Sequence, residues 1–225
     1  MTPLPRIMVA PNGARLTKSD HPALPVSIEE VVATAKLCHR AGADGLHAHI
    51  RDRSQRHVLD AGLYRELIAE MRANLPDMQV QITTEAVGRY TPDDQIALVK
   101  ALQPRSVSVA FREIARLADK TQISDFYNWA AEAGIAVQHI LYNSEDIAAW
   151  AVMARGFAAR SERDQVLLVL GRNDAVGLPI PDHISPIVAS LQATGRDCDW
   201  ALCAFGPNET ACLKKAADLG GKIRV

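Results

Sequence analysis

Eight short apolar runs alternate with amphipathic stretches along the 225-residue chain, and no other feature restricts its fold as strongly. The strand candidates span 6–10, 45–50, 78–84, 106–110, 135–141, 165–170, 199–204 and 222–225. Between them the periodicity predicts helices near 28–41, 60–74, 92–102, 122–133, 144–158, 183–194 and 208–219. Ser27-x-x-Glu30 and Thr91-Pro92-x-Asp94 carry the residues of capped helix starts, with Pro92 at the first helical position. Gly42, Gly134 and Gly220 stand where helix C-terminal caps belong. Such alternation specifies a parallel α/β sheet, and both a closed barrel and an open doubly wound sheet satisfy it. Two features favour the barrel: the number of strands, and the fourth strand, where Ser106, Ser108 and Ala110 alternate with Val107, Val109 and Phe111. Small side chains suit a crowded barrel interior, and larger ones suit packing against helices. The first strand runs into VAPNGAR and lacks the G-x-G-x-x-G of a dinucleotide-binding turn. The expected architecture is one (β/α)₈ TIM-type barrel domain over 1–225. Its eighth strand is the last element and the final helix is absent, so either the natural protein continues past Val225 or the barrel is incomplete.

Composition narrows the partners. A formal net charge of -1 provides no basic field for nucleic acid and no patch for anionic lipid. Small molecules and other subunits remain. None of Cys38, Cys198, Cys203 and Cys212 forms a C-x-x-C pair, which argues against a zinc ribbon or thioredoxin-like motif and for reduced thiols. The N-terminal MTPLPRIMVAPNG has no basic segment followed by an apolar run, and no stretch approaches the roughly 20 apolar residues of a membrane span. The expected location is the cytoplasm.

Barrel enzymes keep their chemistry at the C-terminal ends of the strands. There the sequence places Gly45-Leu-His-Ala-His-Ile-Arg-Asp52. Residues two apart in a strand share a face, so Leu46, Ala48 and Ile50 point outward while His47 and His49 point inward. Two imidazoles on one face can hold a divalent metal such as zinc, and two polar rings inside an apolar strand are costly without strong partners. Glu85, after the third strand, can approach such a metal or form a salt bridge with Arg51 or Arg89. On the eighth strand Lys222 and Arg224 read as inward, and the next inward positions fall beyond Val225. Further polar candidates are Asn12 and Arg15 after the first strand, Thr83 and Thr84 on the third, Ser108 on the fourth, Gln138 or His139 on the fifth, and Asn208 and Glu209 after the seventh. Gly206-Pro-Asn-Glu209 opens a helix whose free N–H groups could hold an anion, with ordinary capping by Asn208 the alternative. His21, His39, His57 and His183 read as structural or solvated, and the long segment 15–25 as a possible lid.

Asn12-Gly-Ala-Arg-x-Thr-Lys-x-Asp20-His-Pro-x-Leu-Pro25, followed by Ala41-Gly-Ala-Asp-Gly-Leu-His47-Ala-His49-Ile-Arg-Asp52, resembles the beta-keto acid cleavage enzymes, also called the 3-keto-5-aminohexanoate cleavage enzyme family. Gln81-Ile-Thr-Thr-Glu85, Val169-Leu-Gly171 and Gly220-Gly-Lys-Ile-Arg-Val225 add to the match. The resemblance implies an oligomeric (β/α)₈ barrel, a dimer or tetramer, with zinc held by His47, His49 and a glutamate. It implies a reaction in which a β-keto acid and acetyl-CoA give acetoacetate and a new acyl-CoA. Thr83 and Ser108 match positions for polar substrate contacts, and Arg224 matches an arginine that supports a catalytic acid. The family's glutamate ligand and a neighbouring aspartate lie four and five residues beyond that arginine, past Val225. Asn12, Arg15, Glu85 and Asn208 complete the expected substrate-binding set. Arg15 stands where members acting on amino-bearing substrates carry an acid, so a keto acid with an anionic or neutral end is expected.

Two other functions fit parts of the pattern. An amidohydrolase-type hydrolase also uses H-x-H in a barrel, but on the first strand and with histidines on strands five and six. Here only His139 matches that arrangement. A non-catalytic, metal-holding barrel is the other.

Overall fold

A computed structural model describes residues 2–117, 119–157, 163–171 and 178–225. In chain order the elements are β1 (Ile7–Val9), α1 (Ile28–Arg40), β2 (Gly45–Ala48), α2 (Ala61–Asn74), β3 (Gln79–Thr83), α3 (Pro92–Leu102), β4 (Ser106–Ala110), α4 (Phe111–Ile114), α5 (Lys120–Glu132), β5 (Ala136–Leu141), α6 (Ser144–Ala154), β6 (Asp164–Leu170), a 3₁₀ turn (Pro181–His183), α7 (Ile184–Gln192), β7 (Cys198–Ala204), α8 (Glu209–Asp218) and β8 (Lys222–Arg224). The strands follow one another in sequence order in a closed barrel, so the doubly wound alternative falls away. The predicted end of the fifth predicted helix (α6 here), at residue 158, lies outside the described residues. No described helix is long and apolar enough to cross a membrane. All four cysteines are free thiols.

The chain divides into two compact units, residues 5–108 with 225 and residues 1–4 with 109–224. In the first, β1, β2, β3 and the start of β4 pair in parallel, with His47 opposite Gln81 and Thr83 opposite Ser108. Helix starts are fixed as their sequences specify. The Ser27 hydroxyl accepts from the Glu30 N–H, and the Glu30 carboxylate accepts from the Ser27 N–H; Thr91 and Asp94 do the same on α3. Gly42 follows α1 at φ 106, a conformation open to glycine and strained for other residues. Val31, Val32 and Ala35 of α1, Tyr64, Leu67 and Met71 of α2, and Leu98 and Val99 of α3 form the buried helix faces.

In the second unit β5 to β8 pair in parallel. Leu4 packs with Leu167, Val169, Ala201 and Cys203 in one apolar cluster. Asp199 holds this N-terminal segment, accepting from the Leu4 N–H at 2.8 Å and from Lys222 Nζ at 2.7 Å. On β8, Lys222 donates to Asp199 of β7 and Arg224 to Gln138 of β5. The short helix α4 is not apparent in the sequence. It follows β4 without a turn residue, and Ala110 provides no side-chain cap.

Candidate active site

His47 lies on β2, and His49 lies one residue past the strand's end, yet both side chains keep the inward face that period-two spacing assigns them. Each is about 4% exposed. Leu46, Ala48 and Ile50 are buried on the other face. The two Nε2 atoms are 3.0 Å apart. The His47 Nδ1 lies 2.9 Å from Gln81 Oε1, and Gln81 Nε2 donates to Ser106 Oγ at 3.2 Å. With Gln81 Oε1 toward His47 and Nε2 toward Ser106, His47 is protonated on Nδ1 and carries its lone pair on Nε2, which faces His49 Nε2. Two nitrogens at about 2.0–2.1 Å from a tetrahedral ion are about 3.3 Å apart, close to the separation found here. The pair thus fits two positions around one divalent ion, with Gln81 as the outer partner that fixes the ligand tautomer.

Glu85 sits on the other side of His49. Its Oε2 is 3.8 Å from His49 Nδ1 and its Oε1 is 3.8 Å from Arg15 Nε. The expected pairing with Arg51 or Arg89 is replaced by Arg15. The Glu85 carboxylate thus lies beside Nδ1 of His49, whereas the two Nε2 atoms face each other. Among the described residues no group of three His, Cys, Asp or Glu side chains is arranged to hold a metal.

Arg51 is buried and donates to the carbonyls of Asn12, Gly13, Ala14 and Gln55. Asn12 Nδ2 donates to the carbonyls of Pro25 at 3.1 Å and His49 at 2.8 Å, leaving its Oδ1 buried without a hydrogen bond. The segment proposed as a lid is therefore tied to the barrel at both ends, with Ala14, Leu24 and Pro25 buried. Arg15 itself is 60% exposed along its side chain. The Thr83 hydroxyl accepts from the Glu85 N–H at 3.0 Å, and Thr84 Oγ1 donates to the Ser108 carbonyl. Ser108 Oγ is buried and makes no hydrogen bond among the described residues. The Tyr64 hydroxyl, shared between the Ala48 and Thr83 carbonyls, ties α2 to the ends of β2 and β3. Its burial pushes the phenol's pKa up.

In the second unit the choice on β5 is settled. Gln138 accepts from Arg224 Nη2 at 2.5 Å. Burial lowers the Arg224 pKa to about 10. His139 points the other way, among Tyr127, Trp150 and Phe157 of the helical layer. It cannot serve as the strand-five ligand that an amidohydrolase site requires. Asn208 does not cap α8; its Nδ2 donates to the Pro179 carbonyl at 3.1 Å. His57, read from the sequence as structural or solvated, is structural and lies beside the site. It is 3% exposed, its Nε2 is 3.1 Å from the Glu85 carbonyl, and its ring lies 5.2 Å from that of His49. Nothing in its flanking Arg56 and Val58 signals burial, because the contact depends on the antiparallel bridge between Arg51 and His57.

A profile described as beta-keto acid cleavage enzyme matches residues 6–225. The 3-keto-5-aminohexanoate cleavage enzyme of Fusobacterium nucleatum is 33% identical over 220 residues, covering 95% of this chain and 78% of that protein. The 3-oxoadipate:acetyl-CoA acetyltransferase of Cupriavidus necator is 22% identical over 225 residues, covering 97% of this chain and 77% of that one. Among solved structures, ObcA with a C4-CoA adduct and oxalate superposes with a TM-score of 0.70 at 15% identity, a likeness of fold, over 91% of this chain. The chain spans 57% of the length of ObcA.

Proposed function

The chain belongs to the beta-keto acid cleavage enzyme family, and from that premise we propose that it transfers the acyl group of a β-keto acid to coenzyme A at the His47–His49 site. The reaction is R–CO–CH₂–COO⁻ plus acetyl-CoA, giving R–CO–CoA and acetoacetate. The bond between the keto carbon and C2 breaks, the acyl group passes to the thiol of coenzyme A, and the acetyl group passes to C2. The names of two relatives, a keto acid cleavage enzyme and an acetyl-CoA acetyltransferase, support this class. The observation that carries the site is the 3.0 Å approach of the His47 and His49 Nε2 atoms, with Gln81 fixing the His47 tautomer.

His47 and His49 would hold a divalent ion, zinc on the strength of the family resemblance. When bound, such an ion polarises a keto oxygen and stabilises charge that develops there as the carbon–carbon bond breaks. The remaining work falls to side chains. Ser108 Oγ, buried without a hydrogen bond, is placed to donate to a substrate oxygen. Thr83 holds the Glu85 main chain, and Asn12 joins the turn after β1 to His49. Arg224, fixed by Gln138, is the proposed support for a catalytic acid, and Asn208 a further substrate contact.

Arg15 sets the substrate's far end. Its exposed guanidinium, 3.8 Å from Glu85, would repel an ammonium and pair with a carboxylate. A keto acid with a second anionic group is the substrate class this favours, and the acetyltransferase relative is named for one such compound, 3-oxoadipate. Acyl-CoA formation from acetyl-CoA and a panel of keto acids, with and without chelator, tests the reading. Turnover of a keto dicarboxylate that chelator abolishes is expected; no acyl-CoA from any keto acid would overturn it. Arg15→Glu should reverse the preference between anionic and cationic keto acids, and an unaltered preference would refute the role of Arg15.

A further inference from the structure

Glu85 is held at both ends of its own residue. Its N–H donates to Thr83 Oγ1 at 3.0 Å, and its carbonyl accepts from His57 Nε2–H at 3.1 Å. The side chain starts from that fixed main chain, and its carboxylate has one oxygen 3.8 Å from Arg15 Nε and the other 3.8 Å from His49 Nδ1. The same His57 ring packs at 58° against His49 and edge-on to Tyr90. His57 Nδ1 is buried beside the Ile50 main chain. A leucine would fill the same space without the bond to Glu85.

We propose that His57 is a positioning residue. Through the Glu85 main chain and the His49 ring it sets the metal-binding nitrogens and the Arg15–Glu85 pair together. The inference rests on the reading of His47 and His49 as metal ligands. Arg51 completes the arrangement, because the strand bridge it forms with His57 joins the turn after β1 to the same support.

The test compares wild type, His57→Leu, His57→Gln and His47→Ala by zinc affinity, measured by competition with a chromophoric chelator, and by separate kcat and KM values for an anionic keto acid. Leucine removes the donor; glutamine keeps an N–H near the position of Nε2. We expect His57→Leu to weaken zinc about tenfold, as loss of an outer-shell partner does. Its KM should rise about tenfold with a smaller change in kcat, and glutamine should restore most of both. Should the leucine variant fail to fold, His57→Asn, whose shorter amide stops short of the Glu85 carbonyl, takes its place. Zinc affinity and KM within twofold of wild type in the donor-less variant, or a glutamine variant equally defective, would overturn the proposal. Zinc binding that His47→Ala abolishes and His57→Leu leaves intact defeats the role of His57 alone. Zinc binding that His47→Ala leaves unchanged, or no zinc binding by wild type, defeats the metal site and this proposal with it.

Discussion

At the scale of single residues, the candidate site depends on how hydrogen-bond donors are allotted. Gln81 turns its amide oxygen to His47 Nδ1 and its amide nitrogen to the Ser106 hydroxyl. Gln81→Leu should therefore release the His47 tautomer and weaken zinc binding by roughly 10–100-fold, measurable by chelator competition. Ser108 makes the opposite prediction for stability. Its Oγ is buried without a hydrogen bond, so Ser108→Ala should leave thermal stability unchanged or slightly raised while KM for the keto acid rises. A clear fall in Tm would show that the hydroxyl is already satisfied without substrate. The inward placement of His47 and His49 was legible because strand alternation is geometric and local. The partner of Glu85 was not. Arg15, Arg51 and Arg89 are equally basic in sequence, and only the fold brings Arg15 to the carboxylate and commits Arg51 to backbone carbonyls. His57 was hidden for the same reason.

At the scale of elements, β5 shows how a strand can place adjacent residues in different environments. Gln138 meets Arg224, whereas His139 enters the layer of α5 and α6, where burial lowers its pKa to about 4 and Asp164 opposes the shift only in part. The unfolded chain titrates near 6.5, so below that pH it takes up a proton that the folded His139 refuses. His139 therefore contributes stability that is fully present above about pH 6.5 and lost as pH falls toward 4. The slope is at most about 1.4 kcal/mol per pH unit. Denaturation followed between pH 7 and 4.5 should show a shallower loss in His139→Phe than in wild type; parallel curves would show that the ring is not buried neutral. Most element boundaries lie within a residue or two of the sequence reading, because capping boxes and terminal glycines are written locally. The exception, α4, has only four residues and no cap, so neither periodicity nor an end signal marks it. Asn208 carried a cap signal that the fold diverts to Pro179.

For the whole molecule, ligand binding and stability are linked. If His47 and His49 bind zinc only in the folded chain, free zinc at 100 times its Kd should stabilise the protein by about 2.7 kcal/mol. Calorimetry should show a rise in Tm with zinc that His47→Ala abolishes, and an equal rise in that variant would place the ion elsewhere. The closed barrel was legible from strand count and the small residues of β4, but the division into two compact units was not, since no linker or change in composition marks it. Arg51 holds the turn after β1 entirely through the carbonyls of residues 12 to 14, and a carbonyl is the same whatever side chain it carries. A substitution at position 15 therefore leaves the bonds that shape the turn in place, while an acid there would lose the ion pair with Glu85 and face its carboxylate instead.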